Sequence, residues 1–137
     1  MVVKFINLRM IGLDSIVFDK TYGKTGDYTA IVDTGTSAIV GPAEVFDPIL
    51  NTFPDHIDCN KLEQFKPLTF VIGGKNYTIQ PSDYILAFTE DGTTQCEVGL
   101  IPDRSGSNMF ILGDSFIKVY YTLFEVDKKR VQFAKSV

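Results

Sequence analysis

The chain has 137 residues, 45% of them hydrophobic, with eleven Phe and six Tyr, which suits one compact domain over residues 1–137 and marks a globular former rather than a disordered chain. Thirteen Lys and Arg against seventeen Asp and Glu leave a net charge of -4 with no basic stripe, which argues against nucleic acid as a partner. No apolar run reaches the length of a membrane span, and the N-terminus lacks the apolar stretch of a secretory signal, so the signal of a secreted protein would lie upstream of Met1.

The dominant hydrophobic period is two. Phe5-Ile6-Asn7-Leu8, Ile11-Gly12-Leu13 and Ile16-Val17-Phe18 read as strands, followed by a turn-rich connection over 19–27. Tyr28 to Val32 is a strand that delivers Asp33, and Ala38-Ile39-Val40 resumes beyond the turn. Gly41-Pro42 then opens a helix from Ala43 to about Asn51, which Pro48 is expected to bend or end early. Leu68 to Ile72 and Tyr77 to Ile79 flank Gly73-Gly74 as the clearest hairpin. Further strands are expected over Ile85–Thr89, Gln95–Leu100, Met109–Leu112, Tyr120–Glu125 and Val131–Ala134, with a short helix over Asp114–Val119.

The segment with most chemistry is Ile31-Val32-Asp33-Thr34-Gly35-Thr36-Ser37. An apolar strand carries one carboxylate into a tight turn, where Gly35 lets the chain bend and Thr34, Thr36 and Ser37 offer hydroxyls to fix its orientation. The same residue types also make ordinary turns, so the triplet alone leaves both readings open. No second Asp-Thr-Gly or Asp-Ser-Gly occurs, so one copy of the chain supplies half of any two-carboxylate site.

Other constellations carry little. Cys59 and Cys96 are too few and too far apart for a zinc cluster or a Cys-x-x-Cys pair, which leaves one bridge or two free thiols. His56 has no recognisable nucleophile partner, Gly73-Gly74 lacks a phosphate-loop pattern, and Asp103 to Asn108 reads as a mobile surface loop.

Taken together the motifs resemble the C-terminal lobe of pepsin-like aspartic proteases. The resemblance rests on Phe5-Ile6-Asn7-Leu8 with Ile11-Gly12-Leu13, on Ala30 to Ser37 with Gly41-Pro42, and on Tyr77-Thr78-Ile79-Gln80-Pro81-Ser82-Asp83-Tyr84. It also rests on Phe110-Ile111-Leu112-Gly113-Asp114-Ser115-Phe116-Ile117 with Tyr120-Tyr121-Thr122-Leu123-Phe124. Phe5 stands where the family often has Trp or Tyr.

The resemblance implies an all-β fold of orthogonally packed antiparallel sheets with a ψ-loop and short helices. It implies an aspartic endopeptidase half in which Asp33 is one of two catalytic aspartates, needing neither metal nor cofactor. Gly35, Thr36 and Ser37 would contact the substrate backbone, and Ile31, Leu100, Pro102 and Ile111 would wall the pockets. Thr34, Leu112 and Gly113 would support the turn, and Cys59 and Cys96 would form the lobe's long-loop disulfide. The implied partners are an N-terminal lobe, peptide or protein substrates and pepstatin-type inhibitors. An isolated lobe is expected to expose an apolar face and self-associate, as a homodimer for instance. The implied location is the secretory pathway, as a zymogen, ending outside the cell or in a lysosome or vacuole. A pepsin-like module that binds peptides or a protein partner without catalysis is the alternative.

Overall fold

A computed structural model describes residues 10–125 and 130–136; the expected strand Phe5-Ile6-Asn7-Leu8 lies outside them. In chain order the first elements are β1 (Met10–Leu13), β2 (Ser15–Phe18), β3 (Lys20–Tyr22), β4 (Tyr28–Val32), β5 (Ile39–Pro42) and α1 (Ala43–Leu50). A single 3-10 turn (Leu62–Gln64) precedes β6 (Leu68–Ile72), β7 (Lys75–Ile79), α2 (Pro81–Tyr84), β8 (Ile85–Glu90) and β9 (Thr93–Val98). The remainder are β10 (Leu100–Asp103), β11 (Met109–Leu112), α3 (Asp114–Ile117), β12 (Tyr120–Glu125) and β13 (Arg130–Lys135).

The site is built on a five-stranded sheet of order β1-β4-β11-β5-β10. β11 inserts between β4 and β5, the two strands joined by the Asp33 turn, which is the expected ψ-loop. Around the ψ-loop the pairing is mixed: β4 with β11 and β5 with β10 pair in parallel, while β1 with β4 and β11 with β5 pair antiparallel. Long connections bring β10 and β11 back to strands far away in sequence, and only such crossovers permit parallel pairing. The other sheets, β3-β2-β6-β7, β8-β9 and β12-β13, are antiparallel.

Turn chemistry sets the hairpins. Gly73 and Gly74, with φ of 58° and 77°, adopt the conformation of a two-residue turn whose twist matches the flanking strands, and Ile72 pairs with Lys75. Asp91 and Gly92, at φ 51° and 77°, do the same between β8 and β9. The 19–27 connection is not all turn, because Asp19 at φ 67° folds the chain back at once and β3 pairs with β2.

Three further expectations shift. Pro48 does not end α1, which runs on to Leu50: the ring deletes one helical hydrogen bond, while Val45, Phe46 and Ile49 are buried from the same helix. The strand expected over Gln95–Leu100 breaks at Gly99, whose amide donates to the Tyr84 carbonyl at 2.7 Å while its carbonyl accepts from Ile39 at 2.9 Å. The chain there leaves the β8-β9 hairpin for the central sheet. The last helix stops at Ile117, short of Val119.

The core draws on Phe46, Phe70, Phe110 and Phe116, all fully buried, with Ile39, Leu68 and Leu112. Phe116 meets Phe70 and Phe133 edge-to-face at 5.6 and 5.4 Å, the favoured geometry for aromatic pairs. Cys59 and Cys96 are disulfide-bonded across 37 positions, and Ile57 bridges to Cys96 beside them.

Candidate active site

Asp33 stands where β4 stops and its ladder with β11 closes: the Asp33 amide donates to the Leu112 carbonyl at 3.1 Å. The side chain then turns back on its own loop. Its Oδ1 accepts from the Gly35 amide at 2.9 Å, and its Oδ2 accepts from the Thr36 hydroxyl at 2.9 Å. Each carboxylate oxygen thus has one fixed donor and keeps acceptor capacity for another group. Asp33 is half-buried, so the carboxylate stays reachable from outside the fold.

Of the three hydroxyls expected to orient it, only that of Thr36 does so among the described residues. Thr34 and Ser37 are exposed. Ser37 contributes its carbonyl instead, accepting from the Ser115 amide at 3.2 Å and the Ser115 hydroxyl at 3.0 Å. The Thr36 carbonyl accepts from the Asp114 amide at 2.7 Å. The start of α3 therefore clamps the turn that holds Asp33.

Gly113 makes that clamp possible. A Cβ there would lie 2.2 Å from both the Thr36 and the Ala38 carbonyl oxygens, so any side chain would force the two segments apart. Ser115, 1% exposed, is the member of the site that sequence reasoning missed. The signal for it is a small hydroxyl residue in the first turn after Gly113, facing the loop carbonyls.

Strand parity sorts the proposed pocket residues. Ile31 and Ile111 are cross-strand partners, both half-buried. The same register extends outward, Met10 to Ile31 to Ile111 to Val40 to Ile101, so one apolar row crosses all five strands on the face away from the core. Its two ends are open, Met10 at 59% exposure and Ile101 at 49%. Leu100 and Pro102 pair with Ile39 and Gly41 and so lie on the opposite face; Leu100 is buried in the core and Pro102 is half-buried. The structure brings Ile31 and Ile111 together but sets Leu100 and Pro102 apart from them.

The loop from Asp103 to Asn108, expected to be mobile, is tied at several points. The Asp103 carboxylate accepts from the Ser105 amide and hydroxyl at 2.9 and 3.1 Å, and the Asn108 side-chain amide donates to the Asp27 carbonyl at 3.1 Å. Arg104 grips Asp47 of α1 with two hydrogen bonds of 2.8 and 3.0 Å, and that bonding holds the Asp47 carboxyl below its ordinary range. A cavity of about 300 Å³ between this loop and α1, lined by Pro42, Glu44, Asp103 and Arg104, lies at the far end of β5 from the Asp33 turn. His56 is exposed in a loop.

The sequence profile described as eukaryotic aspartyl protease matches residues 6–136. Cathepsin D of Rattus norvegicus is 39% identical over 123 residues, which cover 81% of this chain and 30% of that protein. Cathepsin D of Clupea harengus is 42% identical over 119 residues, 78% of this chain and 30% of that protein. Gastricsin of Mus musculus is 36% identical over 119 residues, 78% of this chain and 29% of that protein. The chain therefore spans about 30% of the length of these relatives.

Proposed function

The chain belongs to the eukaryotic aspartyl protease family, and on that premise we propose that it is the C-terminal lobe of an aspartic endopeptidase, with Asp33 as one of the two carboxylates of the catalytic dyad. The observation that carries this reading is the Asp33 carboxylate itself, with one short hydrogen bond on each oxygen and a half-open position at a strand end. Asp103 also takes a donor on each oxygen, so what sets Asp33 apart is the second clamp, by which the start of α3 holds the turn that supplies those donors.

The chemistry follows from two facing carboxylates. Like charges held a few ångströms apart resist full ionisation, so the pair retains one proton and titrates as a unit. A water between them loses a proton to the ionised oxygen while the protonated one donates toward the peptide carbonyl oxygen. The attack gives a tetrahedral intermediate with no covalent bond to the enzyme. Asp33 exchanges protons at its free lone pairs, and Gly35 and Thr36 hold the carboxylate so that it need not reorganise as charge moves. Gly35, Thr36 and Ser37 line the rim where a substrate backbone would lie. Ile31 and Ile111 offer the apolar wall beside it, with Leu100 and Pro102 packing behind the sheet.

The exposed ends of the Met10 to Ile101 row support a partner lobe against this face, since open apolar rows favour cover. A second copy of the chain would be the alternative cover. Leu112 and Gly113 support the turn, Leu112 through its carbonyl on the Asp33 amide and Gly113 through its close approach to the Thr36 and Ala38 carbonyls. The Cys59–Cys96 bridge supports an oxidising route, with the mature protein secreted or in a lysosome or vacuole.

The test is cleavage of a denatured protein across the acidic range, with pepstatin as inhibitor, by this chain alone and after mixing with an N-terminal lobe. Pepstatin-sensitive cleavage in the mixture only supports the half-enzyme. Equal activity from the chain alone supports a homodimer, and folded lobes that bind peptide without cleaving it in either case support a binding module.

A further inference from the structure

Asn76-Tyr77-Thr78 is an Asn-x-Thr triplet with no proline at its middle position or after it, and it is the one such triplet in the chain. The triplet is the acceptor pattern for N-linked glycan transfer, and the pattern alone is common, so its setting decides. Asn76 is exposed and follows the Gly73-Gly74 turn by one residue.

Strand parity points its side chain away from the core. Phe70 pairs with Tyr77 and Leu68 with Ile79 on the core side, while Asn76 pairs with the half-buried Val71 on the other. A branched sugar at this position would displace no core atom.

The backbone adds a second observation. β7 is an edge strand of the sheet β3-β2-β6-β7. The Thr78 amide donates to the Tyr120 hydroxyl at 2.8 Å, and that hydroxyl donates to the Thr78 carbonyl at 2.8 Å, so one phenol closes the edge at Thr78. Asn76, two positions earlier, turns its own amide and carbonyl to the same edge, where no backbone partner stands among the described residues. Unpaired edges recruit other strands unless something blocks them.

We propose that Asn76 carries an N-linked glycan that covers this end of the β7 edge; the inference rests on the secretory route in the reading above. In the transfer, Asn76 Nδ2 attacks the anomeric carbon of an oligosaccharide carried on a lipid pyrophosphate. A carbon–nitrogen bond forms, the bond from that carbon to the pyrophosphate oxygen breaks, the lipid pyrophosphate leaves, and an amide proton passes to a base of the transferase. Thr78 Oγ1 shares a hydrogen bond with Thr69 Oγ1 at 2.8 Å in the folded hairpin and is half-buried. Transfer that needs this hydroxyl therefore precedes β6–β7 pairing.

The test expresses this chain behind a cleavable secretory leader in eukaryotic cells, which supplies entry whatever the natural route. Both the medium and the intracellular membrane fraction are digested with a glycosidase that cuts the asparagine–sugar bond in heavy-oxygen water. The expected result is heavy-oxygen labelling at position 76 and loss of the glycosylated band in Asn76→Gln and in Thr78→Ala. Thr78→Ser should keep it. An unlabelled position 76 in chains that have closed the Cys59–Cys96 bridge would overturn the site and leave the endopeptidase reading standing, as would a glycan that persists in Asn76→Gln.

Discussion

Thr36 donates its hydroxyl to Asp33 Oδ2 at 2.9 Å while its own carbonyl is held by the Asp114 amide at 2.7 Å, so one residue links the carboxylate to the start of α3. A hydrogen bond to a charged group contributes roughly 1.5–3 kcal/mol. Thr36→Val in the two-lobe protein should therefore lower kcat/KM by about 10- to 100-fold and lower Tm as well, whereas Thr36→Ser should stay within about threefold of the unaltered protein and keep its Tm. Steady-state kinetics on one peptide substrate separates the two.

Gly113→Ala should be severe for a different reason. The added methyl would meet two backbone carbonyl oxygens at 2.2 Å, and backbone cannot rotate away as a side chain can. A loss of about 3 kcal/mol or more is expected by urea unfolding, at or beyond the upper end for overpacking. Gly12→Ala is the control, since nothing among the described residues lies within 4 Å of its added Cβ and it should fall within about 0.5 kcal/mol of the parent.

Much of this arrangement is legible along the chain. Alternation marks Tyr28–Val32, the turn dipeptide marks the β6–β7 hairpin, and Asp33-Thr34-Gly35 marks the site. Asp91-Gly92 is an equally local hairpin signal. What escapes is decided by distant partners. β3 is three residues among turn formers and exists because it pairs with β2, and the parallel pairing of β4 with β11 joins segments about eighty positions apart in sequence. Pro48 argues against a continuous helix until the burial of Phe46 and Ile49 is known. Ser115 looks like any helix-start serine until its hydroxyl meets the Ser37 carbonyl.

The disulfide should carry a large share of stability. Closing 37 positions restricts the unfolded chain by about 3–4 kcal/mol in the chain-entropy model. Replacing both Cys59 and Cys96 by Ala should lower the urea midpoint correspondingly, and reductant should then have no further effect. A double variant as stable as the parent would show the bridge to be energetically idle.

The Arg104–Asp47 pair should make the 103–108 loop sensitive to acid. Because Arg104 depresses the Asp47 carboxyl, its contribution is present above the unfolded-state value of about 4 and is lost as pH falls through the lower folded-state value. Both side chains are well exposed, so the effect is small and weakens with salt. Hydrogen exchange of the Ser105 to Met109 amides should be faster in Arg104→Ala than in the parent near about pH 6, and the difference should shrink as pH falls and the Asp47 carboxyl takes up its proton.

The central claim is that Asp33 supplies half of a carboxylate dyad. It is tested most directly by kcat/KM of this chain assembled with an N-terminal lobe of the family, compared with the same assembly carrying Asp33→Asn, after circular dichroism shows both folded alike. The account predicts a loss of about 1000-fold or more, as for removal of a reacting group. Activity within about tenfold of the unaltered assembly would contradict it and return Asp33 to the role of a turn residue.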